Sequence, residues 1–235
     1  MNDDSNEVWA KKPNQYIMDN YYIRQYNEEY ESVKFIKKYI INLKFNTLID
    51  CGCGSGSLIY FLKKLKQAEY FGVDICEETL KIAKEKNPDC IFFKKNINNI
   101  NNKYDVTISN QTILCISPNN QLEFINKQFE LSNKYVVFFS LFTDSELTID
   151  IKINDPYNNE IVYYNILPIS KLESIAYKFN FEIEVNEDFN IKKKINKPLQ
   201  KGRGTYTIET KDNKLLQFSD VVHMPWKIII FKKIM

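Results

Sequence analysis

The chain has a single histidine and no C-x-x-C pair among its five cysteines, so neither a structural zinc site nor a disulfide framework is expected. It also lacks a charge excess. Lys and Arg total 32 against 30 Asp and Glu, leaving a net charge of +2, which disfavours a dedicated nucleic-acid or anionic-membrane binder. The longest apolar stretch, Tyr135 to Phe142, is broken by Ser140 and is far shorter than the roughly 18 residues of a membrane-crossing helix. Met1 to Lys12 has neither the basic start nor the apolar centre of a secretory signal, which makes a reducing cytoplasm the expected setting. Internal repeats and low-complexity linkers are missing too. One domain over 1–235 is therefore expected, with 44% hydrophobic residues enough to fill a core.

What is present is an alternation of short β-branched runs and helical stripes. Tyr21 to Leu43 carries Tyr26, Tyr30, Val33, Ile36 and Ile40 at helical spacing and predicts one helix within an N-terminal arm, 1–45. Thr47 to Asp50 predicts a strand, and Leu58, Phe61, Leu62 and Leu65 a helix. Tyr70 to Val73, Glu77 to Lys86 and Cys90 to Phe93 repeat the unit. Tyr104 to Ser109 is a fourth strand. Ser117 and Pro118 open a helix to about Leu131, and Tyr135 to Phe142 is a strand buried on both faces. Ser170 and Glu173 form a capping-box pattern before another helix. Phe181 to Val185 and Trp226 to Phe231 are the last strands. Two stretches, 143–169 and 186–225, read as irregular insertions. The class is α/β, with a mainly parallel sheet.

The chemistry is concentrated in Asp50-Cys51-Gly52-Cys53-Gly54-Ser55-Gly56, a strand end followed by alternate glycines and a helix. Such a turn either packs tightly without a ligand or lets a ligand approach the main chain. Its place at the end of the first strand is where open α/β sheets bind. A dinucleotide turn would read G-x-G-x-x-G, and Asp50 would repel a pyrophosphate. Asp74, at the tip of the second strand, can accept ribose hydroxyls. A ribose with a positive charge near Asp50 suits S-adenosyl-L-methionine better than NAD.

Asp50 to Gly56 resembles the first motif of the class I S-adenosylmethionine-dependent methyltransferases. Phe71-Gly72-Val73-Asp74-Ile75 resembles the second. Phe92 to Ile97 resembles the segment that packs on adenine, with Asn96 where an Asp is common, and Lys103 to Gln111 resembles the fourth motif. The resemblance implies a Rossmann-like seven-stranded, mainly parallel sheet, helices on both faces and an antiparallel terminal hairpin. It also implies a cofactor site of Asp50, Gly52, Cys53, Gly54, Gly56, Asp74, Ile75, Asn96, Ile97, Asn110 and Gln111, with Tyr30 closing over it. The tyrosines Tyr16, Tyr22, Tyr26 and Tyr30 suit either such a lid or a packing stripe. Cys51 and Cys53 read as buried packing residues.

Ser109-Asn110-Gln111-Thr112 stands where relatives that methylate amino groups of bases or glutamine carry [D/N]-P-P-[Y/F], which disfavours adenine or glutamine as acceptor, and no acidic cluster for magnesium is evident. The expectation is therefore metal-independent O-methylation of a small polar metabolite, such as a sugar or a phosphate-bearing compound. N-methylation of a small amine, or a silent cofactor-binding protein, are the alternatives. His223 is the candidate general base, against the bland reading of a surface or core histidine. The basic run from Lys192 to Arg203, with Lys201 and Arg203 at its end, is a solvated loop or a grip on an anionic acceptor.

Overall fold

A computed structural model describes residues 9–11, 13, 17–155, 160–199 and 204–234. The expected single helix over 21–43 is broken. A π-helical turn, Met18–Ile23, runs into α1 (Arg24–Asn27); the backbone extends at Glu28 and Tyr30, and α2 (Glu31–Ile40) then starts in a new direction. Tertiary contacts account for the break. The first half must reach the glycine turn, while Val33, Ile36 and Ile40 of α2 bury against the sheet.

β1 (Thr47–Cys51), α3 (Ser57–Leu62), β2 (Glu69–Asp74), α4 (Glu77–Lys86) and β3 (Ile91–Lys94) follow the alternation read from the sequence. β4 (Tyr104–Asn110), α5 (Pro118–Leu131) and β5 (Ser132–Thr143) continue it, with Ser117 and Pro118 at the expected start of α5. The stretch 143–169 is not irregular. It holds a hairpin of β6 (Ile149–Asp155) and β7 (Glu160–Pro168), whose end pairs parallel to the end of β5. The capping box is also absent: α6 (Ile169–Lys178) starts one residue before Ser170, whose hydroxyl donates instead to Glu146 at 2.7 Å.

β8 (Phe181–Asp188) is longer than expected. The stretch 186–225 contains a second sheet, β9 (Thr205–Glu209), β10 (Leu215–Ser219) and β11 (Val222–His223), before β12 (Trp226–Lys233) closes the chain's fold. The main sheet runs β3-β2-β1-β4-β5-β12-β8, with β12 antiparallel to both neighbours. This is the expected seven-stranded, mainly parallel arrangement, extended by the β6–β7 hairpin. Alternate residues fill two cores. Leu48, Phe139, Ile228 and Ile230 pack under α2, α3 and α4, while Ile49, Phe138, Ile229 and Phe231 pack under α5 and α6. Strand order reverses between β1 and β4, and the crevice over their carboxyl ends is the natural ligand position.

Candidate cofactor site

The glycine turn is held down by β2, because the N–H groups of Gly52 and Cys53 both donate to the Val73 carbonyl, at 2.8 and 3.1 Å. Its three glycines have separate reasons to be glycine. A Cβ on Gly52 would lie 2.4 Å from Thr112 Cγ2, so that glycine admits a neighbour, not a ligand. Gly56 is the left-handed N-cap of α3, and its Cβ would press on Ala83, Phe92 and Asn87. Gly54 differs: a Cβ there would meet only the Tyr22 ring, at 3.4 Å.

Asp74 accepts from Gly54 N–H through one oxygen and from Cys76 N–H through the other, each at 2.8 Å. The carboxylate thus shapes the turn, and each oxygen keeps a lone pair for a ribose hydroxyl. Burial raises its pKa, and these backbone hydrogen bonds oppose the rise. Asp50 is fully sequestered and its Oδ1 has no hydrogen-bond partner. Burial, with the nearby charge of Asp74 adding to it, pushes the Asp50 carboxyl up to about 8. A buried carboxyl without a partner is costly unless something cationic or hydrogen-bonding meets it.

Asp50, Gly52, Cys53, Gly54, Asp74, Ile75, Asn96, Ile97, Asn110, Gln111 and Tyr30 all line one cavity of about 2090 Å³. Gly56 is not on its wall. Asn96 caps the short 3-10 turn Ile97–Asn99 by accepting from Asn98 N–H at 3.0 Å, which leaves its side chain at the rim with one lone pair already used. Asn110 Oδ1 is buried without a partner, and Gln111, at φ 61°, donates its N–H to the Phe139 carbonyl at 2.8 Å. The site therefore offers an unpartnered acid, an unpartnered amide oxygen and an open glycine. That set fits the ammonium, ribose and adenine parts of S-adenosylmethionine.

Sequence reasoning underrated the arm. Tyr26 donates to the Ser55 carbonyl, Gln25 accepts from Ser57 Oγ at 2.6 Å, and Tyr22 lies against Gly54. The helical spacing of the tyrosines concealed this, since the same spacing serves an ordinary packing stripe. Cys51 and Cys53 are buried packing residues, and all five cysteines are free.

His223 is not brought to the site. Val222 and Met224 turn inward and His223 outward, so its exposed ring lies against Phe218 at 5.4 Å and is not on the cavity wall. Strand alternation explains the miss: the residue is in the expected loop region but on the wrong face of β11. Partial burial lowers its imidazole below the ordinary range. The basic run is also otherwise engaged. The ammonium of Lys193 pairs with Glu28 at 2.7 Å and that of Lys194 with Glu209, while Lys192 is engaged only through its backbone N–H, which donates to Glu31. Lys201, Arg203 and Tyr16 lie outside the described residues. Among the described residues, no group of three His, Cys, Asp or Glu side chains could hold a metal ion.

The family described as "Methyltransferase domain" matches residues 42–203. The ribosomal protein L11 methyltransferase of Thermotoga petrophila is 33% identical over 84 residues, covering 34% of this chain and 31% of that protein. Its Dictyoglomus turgidum counterpart is 36% identical over 83 residues, 33% of this chain and 27% of its own. The chain thus matches about a third of the length of these curated relatives. In fold it is similar to the magnesium protoporphyrin IX methyltransferase of Synechocystis PCC 6803, solved with bound S-adenosylhomocysteine. The TM-score is 0.62 at 14% identity, covering 99% of this chain and 100% of that one. Sheet order, glycine turn, acidic strand tip and family match agree, and the chain belongs to the methyltransferase-domain family, within the class I S-adenosylmethionine-dependent methyltransferases.

Proposed function

We propose that this protein transfers the methyl group of S-adenosylmethionine to an oxygen or nitrogen of a small acceptor molecule. The observation that carries the reading is Asp50, a buried acid on the cavity wall beside the glycine turn whose Oδ1 has no hydrogen-bond partner. Asp50 would hold the ammonium group, Asp74 the ribose, and Ile75, Asn96 and Ile97 the adenine. S-adenosylmethionine supplies an activated methyl on a sulfonium. The chain's own contribution is to hold the acceptor in line with that methyl and to keep water away, which can account for much of the acceleration.

A crevice partly covered by the chain favours a small acceptor. The strap 191–198 and the arm cover the crevice, joined by the Glu28–Lys193 pair and the Lys192–Glu31 hydrogen bond. A phosphate-bearing acceptor loses support because Lys193 and Lys194 are already paired. The five free cysteines, three of them buried, suit a cytoplasmic setting. A protein acceptor is the second reading, favoured by the partial match to ribosomal protein L11 methyltransferases.

Mass spectrometry of the purified protein should find co-bound S-adenosylmethionine or S-adenosylhomocysteine. Labelled cofactor should then pass its methyl to a small-molecule extract. Label appearing in L11 alone would replace the first reading with the second, and a chain that binds neither form of the cofactor would refute both.

A further inference from the structure

Beyond the glycine turn the cavity changes character. Its wall also includes Tyr21 and Tyr30 from the arm, Tyr164 from β7, Phe189 after β8, Met224 before β12 and Trp226 at the start of β12, and Tyr30, Tyr164, Phe189, Met224 and Trp226 belong to one apolar cluster. Five of these six wall residues are aromatic. Tyr21 is on this wall and packs edge-on against the Tyr22 ring, centroids 5.1 Å apart. Trp226 is backed by the parallel ring of Phe139, centroids 5.3 Å apart, which fixes its plane. Glu28 and Lys193, both on this wall, pair with each other at 2.7 Å.

The acid–base character of this wall points the same way. Burial holds the Tyr21 and Tyr30 phenols above their ordinary range, so both stay neutral at physiological pH and neither takes a proton from an acceptor. His223 is outside the cavity, Asp50 lies beside the glycine turn, and Glu123, which is on the wall, is exposed to solvent. An aliphatic alcohol would need a base before it attacked. A phenolic hydroxyl, ionising near 10 as in tyrosine, or a ring nitrogen with a free lone pair, needs far less help.

We propose that the acceptor is a flat, uncharged aromatic or heteroaromatic molecule, seated between Tyr21 and Tyr30 on one side and Tyr164, Phe189, Met224 and Trp226 on the other. The proposal rests on the methyl-transfer reading and names its substrate class. Ring stacking and burial of apolar area supply the affinity. A sugar would gain little from these rings and would depend instead on the polar wall residues, such as Asn120 and Gln217.

Calorimetry with the full chain saturated with S-adenosylhomocysteine tests this, using 1-naphthol, glucose and glucose 6-phosphate as probes. 1-Naphthol should bind at least tenfold more tightly than either sugar. Phe189→Leu and Trp226→Leu should each weaken it by about tenfold while S-adenosylhomocysteine affinity stays within twofold. The Phe189 variant keeps the test valid if loss of Trp226 unfolds the protein. Tighter binding of glucose 6-phosphate, or 1-naphthol affinity unchanged in a folded variant, would overturn the proposal. If S-adenosylhomocysteine itself fails to bind, the methyl-transfer reading falls, and titration of the ligand-free chain with the same probes still decides whether the aromatic chamber binds rings.

Discussion

Asp50 is the residue whose chemistry is easiest to test, because its ordinary and folded pKa values lie far apart. Burial raises the carboxyl to about 8 in the ligand-free protein, so near neutral pH it is mostly protonated. The folded state then binds a proton that the unfolded state has released. Stability should accordingly fall as pH rises from about 4 to about 8 and flatten above that, and Asp50→Asn should remove this part of the slope in thermal melts. Cofactor binding reverses the preference, since an ammonium partner favours the ionised acid. S-adenosylhomocysteine affinity should therefore increase from pH 6 to 8, by up to about tenfold per unit, with proton release measurable by calorimetry in two buffers. The Asn variant should bind weakly and without that dependence. His223 supplies the contrasting case. Its ring is exposed on the outer face of β11, so His223→Ala should leave turnover within about twofold and add or remove no acid limb between pH 5 and 8. A loss of 10²-fold or more, the usual share of a positioned base, would return it to the mechanism.

At the scale of elements, legibility followed how local the determining forces were. β1 to β5 could be read from the chain because each holds a β-branched or aromatic run, four of them ended by Gly, Asp or Asn and β3 by Lys94-Lys95, and α4 was read to the residue since Asn87 and Pro88 stop it. The β6–β7 hairpin was missed although its signal was present. Ile149, Ile151 and Ile153 alternate with Asp150, Lys152 and Asn154, but polar positions on the solvent face disguise a strand as a loop. The break at Glu28 to Tyr30 had no local signal at all. It arises from a conflict between Tyr22 and Tyr26, which must reach the glycine turn, and Ile36, which must reach the core. The site divided in the same way. The glycine turn and Asp74 were legible because backbone geometry demands those residue types, whereas the acceptor walls come from four separate elements that only the fold assembles. The Glu28–Lys193 pair spans two of these covering elements and is exposed, so Glu28→Ala should leave the melting midpoint almost unchanged. Its larger effect should be kinetic, as faster release of S-adenosylhomocysteine in stopped-flow displacement, because the pair joins the arm to the strap over the crevice.

For the molecule as a whole, the arm, the glycine turn and the strap all close on one cavity, so occupancy of that cavity should be felt as global stability. A ligand that binds only the folded state stabilises it by about 2.7 kcal/mol at 100 times its dissociation constant. In a chain of this size each kcal/mol moves the midpoint by roughly 2 to 4 °C, so saturating S-adenosylhomocysteine should raise Tm by roughly 5 to 11 °C. The gain should disappear in Gly54→Val, whose branched side chain would stand where Tyr22 and the ligand meet the main chain at a φ of 52°. That variant should still melt cooperatively, since Gly54 faces the cavity and the strands beneath it are untouched. Hydrogen exchange separates the two contributions. Amides of β1, β4 and β5 lie between paired strands and should already be slow without ligand, whereas those of α1 and the strap should slow only on binding. Protection appearing first in the central strands would mean that the ligand stabilises the sheet directly, and the closing role of the arm would be lost.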